Sequence, residues 1–234
     1  MTQRLARRLW AVLAATLVVC LALVSRVAAR DTGKARELRE TIDRATLEVA
    51  IGRGRLALDD AGLVHSLAAS LRALAAYYGK LPVDRVRVAV TPTHGRQING
   101  STRCGVSGPV VHLSLGAGVD AKALQNDWVV THELLHVTFT SLDDEADTFT
   151  WVGEGLASYV EPLVRVRAGT LTEATLWTEL LAGAPQGLPE AGDRGLNRTH
   201  TWGRTYWGGA LFWFEVDLLL RERTAGHASM RDVL

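Results

Sequence analysis

The chain has 234 residues, 47% of them hydrophobic, with a formal net charge of +1; this is enough apolar material for one substantial core and too balanced a charge for a duplex-binding surface. No block of consecutive Lys or Arg stands beyond the N-terminus, so nucleic acid is not an expected partner. Of the two cysteines, only Cys104 lies beyond the first thirty residues, which excludes an intramolecular disulfide there and suits a partly buried structural thiol.

The chain opens with Arg4, Arg7 and Arg8, continues with an uncharged apolar run from Leu9 to Val24, and then reads Ser25-Arg26-Val27-Ala28-Ala29. That is the charged, apolar and small-residue order of a secretory signal, with cleavage expected after Ala29. The run falls slightly short of the roughly 18 to 20 residues of a full span, so a removed signal and a retained anchor both stay open. Residues 1–30 are therefore expected to be a signal peptide or an N-terminal membrane anchor, with membrane attachment through residues 9–24. The basic flank stays in the cytoplasm and the rest is exported, periplasmic or extracellular. Leu17-Val18-Val19 lacks the small residue wanted before a lipidated cysteine, which disfavours Cys20 as a lipid anchor.

Residues 31–44 read as a charged linker or leading helix, with Arg36, Glu37, Arg39 and Glu40 closely spaced. The main domain is expected over 45–234. It starts with a half-buried strand in which Leu47, Val49 and Ile51 alternate with Thr46, Glu48 and Ala50. Asp59 or Asp60 then caps a helix to about Tyr78, with Leu63, Leu67, Leu71 and Leu74 in one stripe and Gly79 as its stop. Val83 to Val90 is rich in β-branched residues and predicts a second strand. The Gly-, Ser- and Thr-rich stretch 91–108 predicts a long loop or a loosely paired hairpin, and Pro109 to Leu115 a third strand. Residues 110–115 suit either an edge strand able to pair with an extended peptide or an internal strand.

Helices follow. Asp120 caps a run to about Ser141, Val152 opens another that ends at Gly169, and Thr170-Leu171-Thr172-Glu173 reads as a capping box for a third. Residues 184–201 form a loop, and an apolar helix runs from about Arg204 to Arg223. Strands first and helices later, without a repeated βα unit, predict an α+β domain: a small mixed sheet followed by a helical C-terminal half.

The chemistry concentrates in Thr131-His132-Glu133-Leu134-Leu135-His136. Spacing of i and i+4 puts His132 and His136 on one helical face, where both imidazoles can reach one Zn²⁺. Glu133 beside them can take a proton from activated water and pass it to a leaving amine. A chance match on an ordinary helix is the competing reading, but Val129, Val130 and Val137 make the helix apolar, and a buried unpaired His pair is costly. A catalytic zinc site takes three protein ligands and leaves one position open. Glu154, eighteen residues beyond His136, is the candidate third ligand, with Gly153 and Gly155 leaving room for close approach. Glu161 and Ser158 are candidates to support a ligand histidine.

These residues resemble the gluzincin, thermolysin-like zinc metallopeptidases, and in the C-terminal half the glycyl aminopeptidase family. The likeness rests on His132 to His136, Trp151 to Glu161, Arg167-Ala168-Gly169, Thr205-Tyr206-Trp207-Gly208-Gly209-Ala210 and Asp217 to Gly226. It implies a zincin catalytic domain, one Zn²⁺ bound by His132, His136 and Glu154, and hydrolysis of a peptide or protein substrate. It also implies that Tyr206 donates a hydrogen bond to the tetrahedral oxyanion; read without the family, Tyr206 is a packing residue. Two departures stand out: residues 94–100 lack the acidic motif by which aminopeptidase relatives grip a substrate amino terminus, and the relatives are longer, so this chain resembles a reduced catalytic core. Endopeptidase and aminopeptidase activity both remain open, as does a non-catalytic, zinc-stabilised binding or maturation module. The sequence sets no oligomeric state.

Overall fold

A computed structural model of the protein describes residues 34–139 and 149–234. The apolar run 9–24, and with it the expected signal or anchor, lies outside these residues. Among the described residues no helix is long and apolar enough to cross a membrane.

Residues 31–44 correct the expectation of a linker or leading helix. They contain strand β1 (Arg36–Ile42), which pairs antiparallel with β2 (Ala45–Ile51). The turn between them is Asp43-Arg44, with Asp43 at φ 53°, a left-handed conformation that Asp tolerates better than most residues. Charges that suit a solvated helix face are instead satisfied across the hairpin: Arg39 stands opposite Glu48 and its Nη2 lies 2.7 Å from Glu48 Oε1. Ile42 is buried and Leu38 packs against the core, so the domain begins before residue 45.

Helix α1 (Asp60–Tyr78) follows the expected bounds: Asp59 Oδ1 accepts from Gly62 N at 2.7 Å, and Gly79, at φ 87°, ends it. Three strands come next, β3 (Arg85–Thr93), β4 (Ile98–Gly105) and β5 (Gly108–Gly116). The sheet order is β1-β2-β3-β5-β4, with β2, β3 and β5 parallel and each outer strand antiparallel to its neighbour. Register stacks Leu47 beside Val86, Val49 beside Val88 and Val111, and Ile51 beside Val90 and Leu113, all nearly fully buried. Each such side chain contributes about 1.5–3 kcal/mol by leaving water, and this apolar face anchors the core that α1 completes through Leu63, Leu67, Leu71 and Leu74. Residues 98–105 take the hairpin alternative, so β4 is the edge strand and β5 is internal. Cys104 is exposed near the end of β4, not partly buried as expected.

The single helix expected from Asp120 is two, α2 (Ala121–Asn126) and α3 (Trp128–Thr138). Asp127 is extended at φ −81° and ψ 138°, and its Oδ1 accepts from Val129 N at 2.8 Å, so it caps the second helix and breaks the first. Arg165 steadies the break from a distance, its Nη2 donating to Asn126 O at 2.7 Å. Helix α4 (Thr150–Arg167) ends at Gly169, at φ 73°. Helix α5 (Glu173–Gly183) is capped by Thr172, whose Oγ1 accepts from Thr175 N, whereas Thr170 Oγ1 turns back to Arg165 O. The last long helix has two parts, a π-helical segment (Gly203–Gly208) and α6 (Gly209–Arg223). A short α7 (Met230–Val233) is tied to α6 by Asp217, which accepts from Met230 N at 2.6 Å and from Tyr159 Oη at 2.6 Å.

Candidate metal centre

Helix α3 lies against β4 and β5, and α4 packs on α3. Its apolar residues are drawn into the core, and that sinks His132 and His136 to 2% and 5% exposure. Burying two imidazoles is costly unless their nitrogens find partners. Their partner is Glu154 from α4: its Oε2 lies 3.0 Å from His132 Nε2 and 3.4 Å from His136 Nε2, and the two Nε2 atoms are 3.3 Å apart.

Those three separations test whether the donor set fits a metal. Ligand bonds of 2.0–2.1 Å in a tetrahedral zinc site put neighbouring ligand atoms roughly 3.3 Å apart. The observed triangle has that size, and two borderline imidazole nitrogens with one hard carboxylate oxygen make a donor set that first-row divalent ions, zinc among them, accept. Hydrogen bonds alone do not explain the triangle, since at most one of the two Nε2 atoms in a neutral pair can donate to the other while both face a carboxylate. The group His132, His136 and Glu154 can therefore hold a metal ion.

Glu133 and Tyr206 join the same place. Glu133 is 8% exposed, and its Oε2 accepts from Thr102 Oγ1 at 2.8 Å. Burial pushes the Glu133 carboxyl above the usual range, against the opposing effects of Thr102 and the two histidines. Burial acts in the same sense on Glu154, but hydrogen bonds from His132 and His136 outweigh it and hold that carboxyl well below the usual range. Tyr206 stacks on His132, with ring centroids 5.8 Å apart, which puts its phenol beside the Glu154 carboxylate. Desolvation and the Glu154 carboxylate push its phenol far above its ordinary value, so it stays protonated and a donor at neutral pH.

All five predicted residues thus meet, although they come from α3, α4 and the π-helix. The predicted support for a ligand histidine does not. Glu161 pairs with Arg165, Oε1 to Nη1 at 3.0 Å, and among the described residues His132 Nδ1 is buried without a hydrogen-bond partner. Thr102 and Gly100 are residues that sequence reasoning passed over; one threonine among several in a Gly- and Thr-rich stretch carries no signal of its own. A cavity of about 730 Å³ opens beside His132 and Tyr206, walled by Trp128, Trp177, Trp202 and Trp207.

Fold and site together define an α+β domain, with a five-stranded mixed sheet and a His-His-Glu group suited to a metal ion. No family model matches the chain, and no curated protein matches it in sequence. In structure it is similar to a crystal structure of an aminopeptidase N family protein from Idiomarina loihiensis, with a TM-score of 0.55 and 14% identity. The match covers 86% of this chain and 40% of that protein, so the chain spans less than half of its length. At this identity the likeness concerns the fold.

Proposed function

We propose that this chain is a zinc-dependent peptidase, in which His132, His136 and Glu154 hold one Zn²⁺ in a gluzincin-like catalytic core. The observation that carries the reading is the triangle of three ligand atoms, 3.0, 3.3 and 3.4 Å apart, with a buried carboxyl, Glu133, beside the two histidines on α3. When bound, Zn²⁺ supplies Lewis acidity that lowers the pKa of water and polarises a carbonyl. Glu133 accepts the proton released by attacking water and passes it to the leaving amine; its burial raises its proton affinity toward that of a useful base. Tyr206, held protonated, donates to the carbonyl oxygen as negative charge develops there. The substrate is a peptide or protein, and the proposal extends to export through residues 1–30, so that the domain works outside the cytoplasm.

The test is metal analysis of the full chain, followed by a peptide-library digest with and without chelator. Glu133→Gln is expected to keep the metal and lose on the order of 10² to 10⁴ in rate, the usual contribution of a general base. A Glu133→Gln protein that binds zinc and hydrolyses at the full rate refutes the mechanism. Zinc binding with no hydrolysis of any peptide favours the non-catalytic module.

A further inference from the structure

We propose that Thr102 is a positioning residue for Glu133, holding its carboxylate in place from the edge strand; this rests on the reading of Glu133 as the proton carrier.

Gly100 and Thr102 are alternate residues of β4 and so share one face of the strand. That face lies against Glu133. Thr102 Oγ1 is 2.8 Å from Glu133 Oε2 and 2.9 Å from Glu133 O. A hydroxyl has one hydrogen to give, and the charged carboxylate is the stronger acceptor. Two residues earlier, a Cβ at Gly100 would fall 2.5 Å from Glu133 Cγ, 3.0 Å from its Cδ and 2.7 Å from Val129 Cγ1. The strand thus offers Glu133 a gap of one side chain followed by a donor at the carboxylate.

The register makes this cradle specific. Gly100 pairs with Leu113 and Thr102 with Val111, both buried in the core, so β5 fixes where the two residues stand. A slip of one residue would present Ser101 and Arg103 to Glu133. A glutamate has three rotatable side-chain bonds, and without a fixed partner its carboxylate is spread over several rotamers. With Oε2 engaged by Thr102, one arrangement is selected and Oε1 is the oxygen through which Glu133 takes up a proton. The hydroxyl contributes order that α3 by itself does not supply.

The experiment compares Thr102→Val, which keeps shape and strand preference but removes the donor, with Thr102→Ser, which keeps the donor, in the full chain. Thr102→Val is expected to lower kcat on the order of 10- to 100-fold, the worth of one hydrogen bond to a charged group. KM and zinc affinity stay unchanged, Tm falls by a few degrees as the buried carboxyl loses its donor, and Thr102→Ser recovers most of the rate and of the Tm. A second readout does not need turnover: crystal structures of zinc-free wild type and Thr102→Val, in which the Glu133 carboxylate is expected to leave its wild-type rotamer. Wild-type kcat in Thr102→Val, or a parallel loss of kcat, zinc affinity and Tm that Ser does not repair, overturns the proposal. If the wild-type chain hydrolyses no peptide, the functional reading fails by itself, and an unmoved Glu133 in the variant crystal then overturns the positioning role too.

Discussion

Gly155→Ala probes how closely α4 and α6 must approach for the site to form. A Cβ at Gly155 would lie 2.4 Å from both Cα and C of Gly209, and one at Gly209 would lie 2.5 Å from Trp151 O. These neighbours are backbone atoms, so no rotamer change relieves the overlap. Carbon contacts settle near 3.5–4.0 Å, and the helices must part by on the order of 1 Å. Overpacking of this kind costs about 1–3 kcal/mol, at the upper end where backbone must move. Replacing a helical glycine by alanine returns up to ~1 kcal/mol, leaving a net loss of about 2 kcal/mol. For a domain of this size that is a fall in Tm of roughly 4–8 °C. Glu154 precedes the substituted residue, and Tyr206 lies in the π-helix that leads into α6. Zinc affinity is therefore expected to fall as well. Thermal melts followed by circular dichroism, with and without zinc, measure both effects. An unchanged or raised Tm with wild-type zinc affinity refutes the claim that the two backbones touch.

Zinc at about a hundred times its Kd is expected to stabilise the chain by about 3 kcal/mol, an effect that chelator reverses and His132→Ala abolishes; melts in a zinc series show it. Tyr206→Phe keeps the stacking on His132 but removes the donor, so kcat is expected to fall roughly 10- to 1,000-fold with zinc content unchanged, measured by peptide hydrolysis beside metal analysis. Burial pushes the Glu161 carboxyl up to about 7, with Arg165 opposing it, from an ordinary value of 4.5. The folded state then holds that proton more tightly than the unfolded chain. Its effect on stability is therefore a decline as pH rises from about 4.5 to about 7, level thereafter, spanning at most ~3 kcal/mol. Urea unfolding at about pH 5 and about pH 8 is expected to show a flatter dependence in Glu161→Gln; an identical slope in both proteins contradicts the assignment.

Much of this was legible in the residues. Period-two alternation marked β2, and Asp59 with Gly79 bounded α1, because caps and hydrophobic periodicity act locally. His132, Glu133 and His136 were readable for the same reason, since an i, i+4 pair is fixed by helix geometry alone. Glu154 was readable as a candidate third ligand from its place between Gly153 and Gly155, whereas the role of Tyr206 needed the family resemblance; nothing in their spacing states that α4 and the π-helix converge on α3. Local signals misled where tertiary partners outweighed them: Arg39 found Glu48 across a hairpin rather than along a helix, and Asp127, helical by its neighbours, capped a new helix.

Sequence by itself determined β2, α1 and the face of α3 that bears the two histidines, since a helix turns every side chain by a fixed angle whatever surrounds it. Only the tertiary structure decided that Glu154 closes the triangle and that Gly100 and Thr102 face Glu133. Glu154, Gly100 and Thr102 reach α3 from separate elements, through sheet register and the backbone contact between Gly155 and Gly209, which no local periodicity encodes.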